Sequence, residues 1–411
     1  MTGTAVIWVV NQYAGSPRHG MEYRHYHLAR ALAERGHRVV VISGSRSHLY
    51  TRQPQVSRPF TLEPIDDVTY CWVAVPSYER AISVKRVVNM AAFALRLERL
   101  PVHRLPRPDA ILVSSPSLFP LPVAARWARR FGARLAFEVR DIWPLTLQEL
   151  AGMSDRHPLV MLMQWLEDYG YRKADTVVSV LPGAAAHMVS RGMDPAKFHY
   201  LPNGIDLAAR PAGAADGAAP DMVRAAIRPD TFTVGFVGTL GRANVVETLI
   251  DAARLLEPDE AQVVVVGHGP ERDQLVARAA DVPSVAFVGP VPKDQVGAAI
   301  ARFDACYVGY RRSALYRFGV SPNKLYEYMA AGRPVLFAAD AANQPVQEAN
   351  CGRTVPPENP AALATAIRSL AACPPQERER LGANGRAYVE DHHDYARLGE
   401  RLVAILLDGP L

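Results

Sequence analysis

Short apolar runs rich in valine alternate with helical patterns along the first half of the chain. "TAVIWVV" (4–10) is followed by a helix from about Glu22 to Arg35, and then by "HRVVVIS" (37–43). Next come "DAILVSS" (109–115), a helix near 119–131, "ARLAFEV" (133–139), a helix from 158 and "DTVVSVL" (175–181). The second half repeats the scheme: "FTVGFVG" (232–238), a helix near 245–256, "AQVVVVG" (261–267), a helix near 271–280, "SVAFVG" (284–289), "DACYVG" (304–309), a short helix and "PVLFA" (334–338). Apolar strands with no polar alternation, separated by helices, predict parallel sheets covered on both faces. The expectation is an α/β chain of two doubly wound, Rossmann-like domains, 1–205 and 206–389. A C-terminal helical pattern, about 390–411, is placed to brace the first domain. Between the domains "NGIDLAARPAGAADGAAP" (203–220) reads as hinge and loop. Ligands of such sheets bind beyond the carboxyl ends of the strands.

The short helix in "SPNKLYEYMAAGRPV" (321–335) carries marks at both ends: Ser321 as N-cap, Pro322 in the first helical position, Gly332 and Pro334 after the end. Lys324 then falls in the first turn, where the helix dipole disfavours a cation. An anionic ligand at this N-terminus would explain it, because dipole and ammonium then act on one diphosphate. Glu327, one turn on and on the same face, is placed to accept two vicinal ribose hydroxyls. An exposed Lys324–Glu327 pair within the helix explains the two residues equally well at this level.

Composition fits a folded globular protein: 411 residues, 49% apolar and 21% charged. The opening "MTGTAVIWVV" has no basic stretch before its strand, and "PLVMLMQWL" is too short to cross a bilayer, so neither a signal peptide nor a membrane span is expected. Cys71, Cys306, Cys351 and Cys373 lack metal-like spacing and suit a reducing cytoplasm, with Cys306 expected in the core. The net charge of +5 divides unevenly, +9 in residues 1–200 and −4 in 201–411. The first half is therefore expected to meet something anionic. No zinc-finger, RNP-like or basic-zipper pattern points to nucleic acid, which leaves a lipid or a diphosphate.

Gly-containing turns follow two strands of the second half, at Gly238–Thr239–Leu240–Gly241 before Arg242, and at Gly267–His268–Gly269. Such turns bring backbone amides to phosphate, or serve packing alone. Neither has the G-x-G-x-x-G spacing of a dinucleotide site, which argues against an NAD enzyme.

The combination of "YLPNGID" (200–206), "FVGTLGRANVVETLIDAA" (236–253), "VVGHGPERDQL" (265–275), "SPNKLYEYMAAGRPVL" (321–336) and "CGRTVPPENPAALATAI" (351–367) resembles the retaining GT-B glycosyltransferases of group 1, of the bacterial surface-polysaccharide kind. "NQYAGSPRHGMEYRHYHLARAL" (11–32) and "FEVRDIWP" (137–144) resemble the subgroup that transfers N-acetylated amino-deoxy sugars such as fucosamine. The resemblance spans nearly the whole chain and implies a UDP-sugar donor held by the C-terminal domain, a polyprenyl-diphosphate-linked or saccharide acceptor met by the N-terminal one, and no further cofactor or metal. It places Glu327 on the ribose, and Gly238–Gly241, Gly267, His268, Ser321, Pro322, Asn323 and Lys324 around the diphosphate. The segment "GPVPKD" (289–294), with Val291, falls at the uracil, and Gly15 and Gly20 fall where a loop approaches the donor phosphates. Three positions depart from the family. Gly319 stands where many relatives carry a second glutamate that contacts the donor sugar. Thr239 and Asn244 stand at the usual Arg and Lys of the diphosphate loop, leaving Arg242 and Lys324 as the cations. Arg140 replaces an active-site histidine, leaving Asp141 as an acceptor-side base; an Arg140–Asp141 structural pair is the alternative.

The family mechanism is front-side displacement, with the departing phosphate taking the acceptor proton; charge and positioning would come from Lys324, Arg242, Glu327, Arg140 and Asp141. A sugar-nucleotide epimerase of the same architecture and a non-catalytic nucleotide-sugar-binding subunit are the rival readings. A last expectation concerns residues 79–108. Val84, Val87, Val88, Ala91, Ala92 and Leu95 form a helical apolar stripe, flanked by Arg80, Lys85, Arg86, Arg96 and Arg99. The stripe suits an anionic inner-membrane surface, in a cytoplasmic, peripherally bound protein, or else packs on the sheet as in an ordinary surface helix.

Overall fold

The computed structural model describes residues 3–20, 23–79, 83–208 and 219–408. The chain folds into two compact units, Met1–Asn203 with Tyr395–Leu411, and Gly204–Asp394. Most of the inter-domain stretch read as a hinge, residues 209–218, lies outside the described residues.

The first unit is built on an eight-stranded sheet of order β3-β4-β2-β1-β5-β6-β7-β8. Its strands are β1 (Val6–Val10), β2 (Arg38–Gly44), β3 (Phe60–Ile65), β4 (Val68–Val73), β5 (Ala110–Ser114), β6 (Arg134–Val139), β7 (Thr176–Ser179) and β8 (Phe198–Tyr200). All pair in parallel except β3, which runs antiparallel along the edge beside β4. The helices are α1 (Arg24–Ala33), α2 (Val84–Leu97), α3 (Leu121–Phe131), α4 (Leu145–Ala151), α5 (Pro158–Lys173) and α6 (Ala185–Ser190). The start of α1 falls two residues past the expected Glu22, which itself lies outside the described residues. Connections from β4 through α2, β5 through α3 and β6 through α5 all step the same way across the sheet, so right-handed crossovers place these helices on one face. The step from β1 to β2 is in the opposite sense and puts α1 on the other face. There the C-terminal helix, Tyr395–Val403, packs on α1, with Leu398 and Leu402 in the core and the Tyr395 ring stacked on His27.

The α2 stripe does not cover the sheet. Asn89, Met90, Phe93, Ala94 and Leu97 form the buried face, while Val84 is 80% and Leu95 64% exposed. The apolar stripe and the buried stripe are thus two faces of one helix. Of its cations, Arg86 bonds to the Tyr13 hydroxyl and lies over that ring, and Arg96 donates to the Ala74 carbonyl. Lys85 and Arg99 are exposed, and Arg80 lies outside the described residues.

The second unit has a six-stranded parallel sheet of order β11-β10-β9-β12-β13-β14. The strands are β9 (Thr233–Val237), β10 (Gln262–Val266), β11 (Val285–Val288), β12 (Ala305–Gly309), β13 (Val335–Ala338) and β14 (Gly352–Val355). Its helices are α7 (Asp221–Ala226), α8 (Val246–Ala253), α9 (Arg272–Arg278), α10 (Val296–Ile300), α11 (Asn323–Ala330), α12 (Pro345–Glu348), α13 (Pro360–Ala371) and α14 (Pro375–His392). Valines of β10 alternate between two cores: Val263 and Val265 meet α8 and α13, and Val264 and Val266 meet α10 and α11. Strands read as uninterrupted apolar runs because both faces are covered. Cys306 is buried in this second core, as its surroundings in the sequence suggest.

Candidate functional site

The carboxyl ends of β9 and β10 and the N-terminus of α11 converge within the second unit. Beyond Val237 and Val266 the two strands stay zipped: the Gly238 amide donates to Val266 O (3.0 Å), Leu240 to His268 O (3.0 Å) and Glu271 to Leu240 O (3.0 Å). The loops come so close that a Cβ on Gly267, whose φ is +146°, would lie 2.0 Å from the Gly238 carbonyl oxygen. This removes three amides from the expected cradle. The amides of Gly238, Leu240 and Gly267 are spent on protein carbonyls, and the Leu240 side chain is in the core. What the turn presents outward is side chains: Thr239 is exposed, and Arg242 is 88% exposed with only a 3.5 Å contact to Glu271. His268 is exposed.

Helix α11 also begins differently from its sequence marks. Pro322 is the N-cap, with φ −81° and ψ 129°, no side chain caps the first turn, and Ser321 lies 3.2 Å from the Tyr326 hydroxyl instead. Proline fits there because its fixed φ suits the residue before a helix and it offers no amide. The first turn at Asn323 and Lys324 is therefore left open, with the positive end of the helix dipole uncovered. Asn323 is exposed.

Lys324 turns under this opening. Its ammonium lies 4.5 Å above the centre of the Phe236 ring and donates to Asn244 Oδ1. Asn244 is fixed in turn by a 2.7 Å bond from its amide to Thr239 O, and is followed by Val245 at φ 47°, a strained conformation for a β-branched residue. Burial pushes the Lys324 ammonium down to about 8, with Glu327 opposing it. Asn244 thus acts as the acceptor that orients the Lys324 ammonium.

Glu327 is 16% exposed and forms an ion pair with Lys293, from the segment after β11 that also carries the partly buried Val291. Lys324 and Glu327 are therefore not an exposed pair on one helix face: each is partly buried and tied to a different segment. Gly319 has φ +101°, a region that L side chains rarely adopt, so the glutamate that the resemblance leads one to expect here would be strained in this backbone. Asn244, Phe236 and Lys293 were not predicted as site residues; only the Lys within "GPVPKD" offered a signal.

Arg140, Asp141, Gly15 and Gly20 belong to the first unit. Gly15 and Gly20 are buried in the loop after β1, Gly15 O accepting from Tyr70 (2.8 Å) and the Gly20 amide donating to Ser16 O (2.8 Å). Asp141 is exposed just past the end of β6, and the Arg140 amide donates to Ser115 Oγ at 2.9 Å. Beside them lies a buried assembly that sequence reasoning missed. Glu138, on β6, accepts from Arg24 (2.9 and 3.0 Å), His25 (2.7 Å) and Ser114 (2.6 Å). Burial alone would raise its pKa, but Arg24 and His25 overcome that and hold it well below the usual carboxylate range. Arg24 also donates to the carbonyls of Leu201 (3.0 Å) and Pro202, at the exit of the first unit.

Residues 19–204 match the model of a glycosyl transferase 4-like domain, and residues 231–373 that of glycosyl transferases group 1. An Escherichia coli (strain K12) protein named as a glycosyl transferase of colanic acid biosynthesis, WcaI, is 24% identical over 322 residues, 75% of this chain and 77% of that one. WbjE of Pseudomonas aeruginosa, named as a glycosyltransferase, is 24% identical over 245 residues, 58% of this chain and 60% of its own. Among solved structures, sucrose-phosphate synthase of Thermosynechococcus elongatus superposes with a TM-score of 0.70 at 19% identity, covering 97% of both chains. Anabaena HepE in complex with UDP and glucose gives 0.65 at 16% identity, covering 98% of this chain and 99% of that one. The chain is thus a GT-B protein that carries a glycosyl transferase 4-like domain followed by a glycosyl transferases group 1 domain, and belongs with the glycosyltransferases.

Proposed function

We propose that the protein is a retaining glycosyltransferase that moves an N-acetylated amino-deoxy hexose from UDP to a polyprenyl-diphosphate-linked or saccharide acceptor in bacterial surface-polysaccharide assembly. One observation carries the reading: the uncapped start of α11 stands over the Lys324 ammonium, with the Glu327 carboxylate one turn further on. That order, positive helix end, cation, carboxylate, fits the order diphosphate then ribose in a nucleotide sugar. Arg242, on its exposed turn, reaches the same diphosphate from the side. The bound ligands of the similar Anabaena structure, UDP and glucose, and the colanic acid assignment of the Escherichia coli relative support the donor class and the setting.

In this reading the C1–O bond to the β-phosphate breaks as negative charge gathers on the leaving UDP, and an acceptor hydroxyl attacks from the same face. Its proton passes to the departing phosphate oxygen. Lys324, Arg242 and the helix dipole stabilise that charge, and neither a metal nor another cofactor is assigned a step. Gly319 leaves the donor-sugar hydroxyls without the usual glutamate, which suits a sugar lacking one hydroxyl and bearing an N-acetyl group. Arg140 and Asp141 orient the acceptor. The test is mass spectrometry of products from a panel of UDP-sugars with a polyprenyl-diphosphate sugar acceptor. Acceptor-dependent addition of an N-acetylated sugar is expected. Conversion of a UDP-sugar without acceptor would make the protein an epimerase, and binding without turnover across the panel would make it a binding subunit.

A further inference from the structure

One arginine behind the candidate site is engaged by three separate segments. Arg311 follows β12, whose neighbour in the sheet is β9, so it stands beside the turn that leaves β9. Its Nε donates to Arg242 O at 2.9 Å. One terminal nitrogen pairs with Glu247, in the first turn of α8, at 2.6 Å, and the other with Glu358, beyond β14, at 3.4 Å. The Glu358 carboxylate also accepts from the Arg312 amide at 2.9 Å. All three guanidinium nitrogens are thus occupied, and the charge faces two carboxylates. Arg311 is therefore not a further cation held ready for a phosphate.

What it holds is the single turn Arg242–Asn244. The far end of that turn is tied to the same strand, because the Tyr307 hydroxyl of β12 donates to Val245 O at 3.1 Å. The backbone around these ties needs them. Val245 has φ 47° and Glu358 φ 54°, and residues other than glycine keep such conformations only where their surroundings fix them. The turn carries both groups that the loop brings to the site, the outward-pointing Arg242 and the Asn244 that accepts from Lys324. The Arg242 side chain stands in solvent, so its direction is set by the backbone that Arg311 grips.

We propose that Arg311 is a positioning residue for the donor diphosphate: by clamping the Arg242 carbonyl against Glu247 and Glu358, it aims Arg242 and Asn244 at the open start of α11. It acts through the turn and touches no donor atom. The clamp adds little to stability, because its side chains are between 24% and 43% exposed and exposed ion pairs contribute little to folding. Lysine cannot replace it, since a single ammonium does not span three acceptors that a planar fork reaches together. The proposal rests on the donor reading of α11.

The test is Arg311→Lys, with UDP titrated by calorimetry and uridine by NMR. The variant should bind UDP about five- to tenfold more weakly, with uridine affinity within about twofold of the wild type and an unchanged thermal midpoint. In a background of Arg242→Ala with Asn244→Ala, Arg311→Lys should have no further effect, since losses routed through one turn do not add. Three results would overturn the proposal: equal losses of UDP and uridine, a full further loss in the turn background, or undiminished UDP affinity in Arg311→Lys. If the turn variant binds UDP as the wild type does while Glu327→Ala does not, the turn lies outside the donor site and the proposal falls alone. If neither weakens UDP, the donor reading itself has failed.

Discussion

Two cation–carboxylate assemblies at the carboxyl ends of the sheets, one around Glu138 and one around Glu327, are built in opposite ways. In the first unit Glu138 is fully buried, and both of its oxygens are taken by Arg24, His25 and Ser114. In the second unit Glu327 keeps partial exposure and pairs with a lysine whose side chain is itself 59% exposed, while Lys324 sits below an uncapped helix end. A closed, saturated assembly holds structure, because nothing can be exchanged without leaving a buried charge unpaired. An assembly with exposed partners and an open dipole can trade them for a ligand. Residue type alone does not distinguish the two; completeness of the partners does.

Breaking the closed assembly has the largest expected effect. Arg24→Met leaves Glu138 buried with His25 and Ser114 alone and its Oε1 without the guanidinium, and should cost roughly 3 kcal/mol in denaturant unfolding. Because the folded pKa of Glu138 is depressed, its contribution is present above the ordinary carboxylate range and lost as pH falls through that range toward the folded value. Unfolding measured against pH should therefore show an acid-side loss that Glu138→Gln removes. At the open site, Lys324→Met should spare folding and reduce kcat more than it weakens donor binding, by roughly 2 kcal/mol or more, since charge grows on the diphosphate in the transition state. Wild-type UDP affinity should fall as pH rises past about 8, where the ammonium is lost, and the variant should show no such dependence.

A third carboxylate sharpens the contrast. Glu167 is buried with only hydrogen bonds from Tyr171 (2.9 Å) and Gln164 (2.8 Å), and burial pushes it up to about 8. The folded state thus holds a proton that the unfolded chain releases above the ordinary range, so this group lowers stability as pH rises from about 4.5 toward 8. Glu167→Gln should raise the unfolding free energy at pH 8 by about 1 kcal/mol once the Gln164 amide turns to match, and change it little at pH 4. Smallest of all, Lys293→Ala removes an exposed partner, about 0–1 kcal/mol. It should alter UDP affinity by a few-fold only, because in the proposed site the ribose takes the place of the lysine on Glu327.

The alternation of apolar runs and helical patterns revealed both sheets, since parallel strands buried on two faces need no polar alternation. The β3–β4 hairpin went unseen because Pro64 interrupts the edge strand and the turn uses Asp66 at φ 51° in place of a glycine signal. Lys324 and Glu327 stood out because a cation in the first turn of a helix contradicts the dipole. Their actual partners did not: Asn244 and Lys293 lie 80 and 34 residues away, and only folding brings them in. Arg24 and Glu138, 114 residues apart, were hidden for the same reason. Ser321 was misread as a cap because Pro322 takes that backbone position itself. On α2 the apolar pattern was correct but its direction was not legible, since two apolar faces share one helix.

The most direct test of the open assembly is a calorimetric titration of UDP into the wild type and Glu327→Ala at pH 7. Two ribose hydrogen bonds to a carboxylate are worth roughly 1.5–3 kcal/mol each before losses. The account predicts a dissociation constant raised by about ten- to a hundredfold, with the thermal midpoint of the free protein unchanged. Equal UDP affinity in the two proteins would contradict it and remove Glu327, and with it the order of groups along α11, from the site.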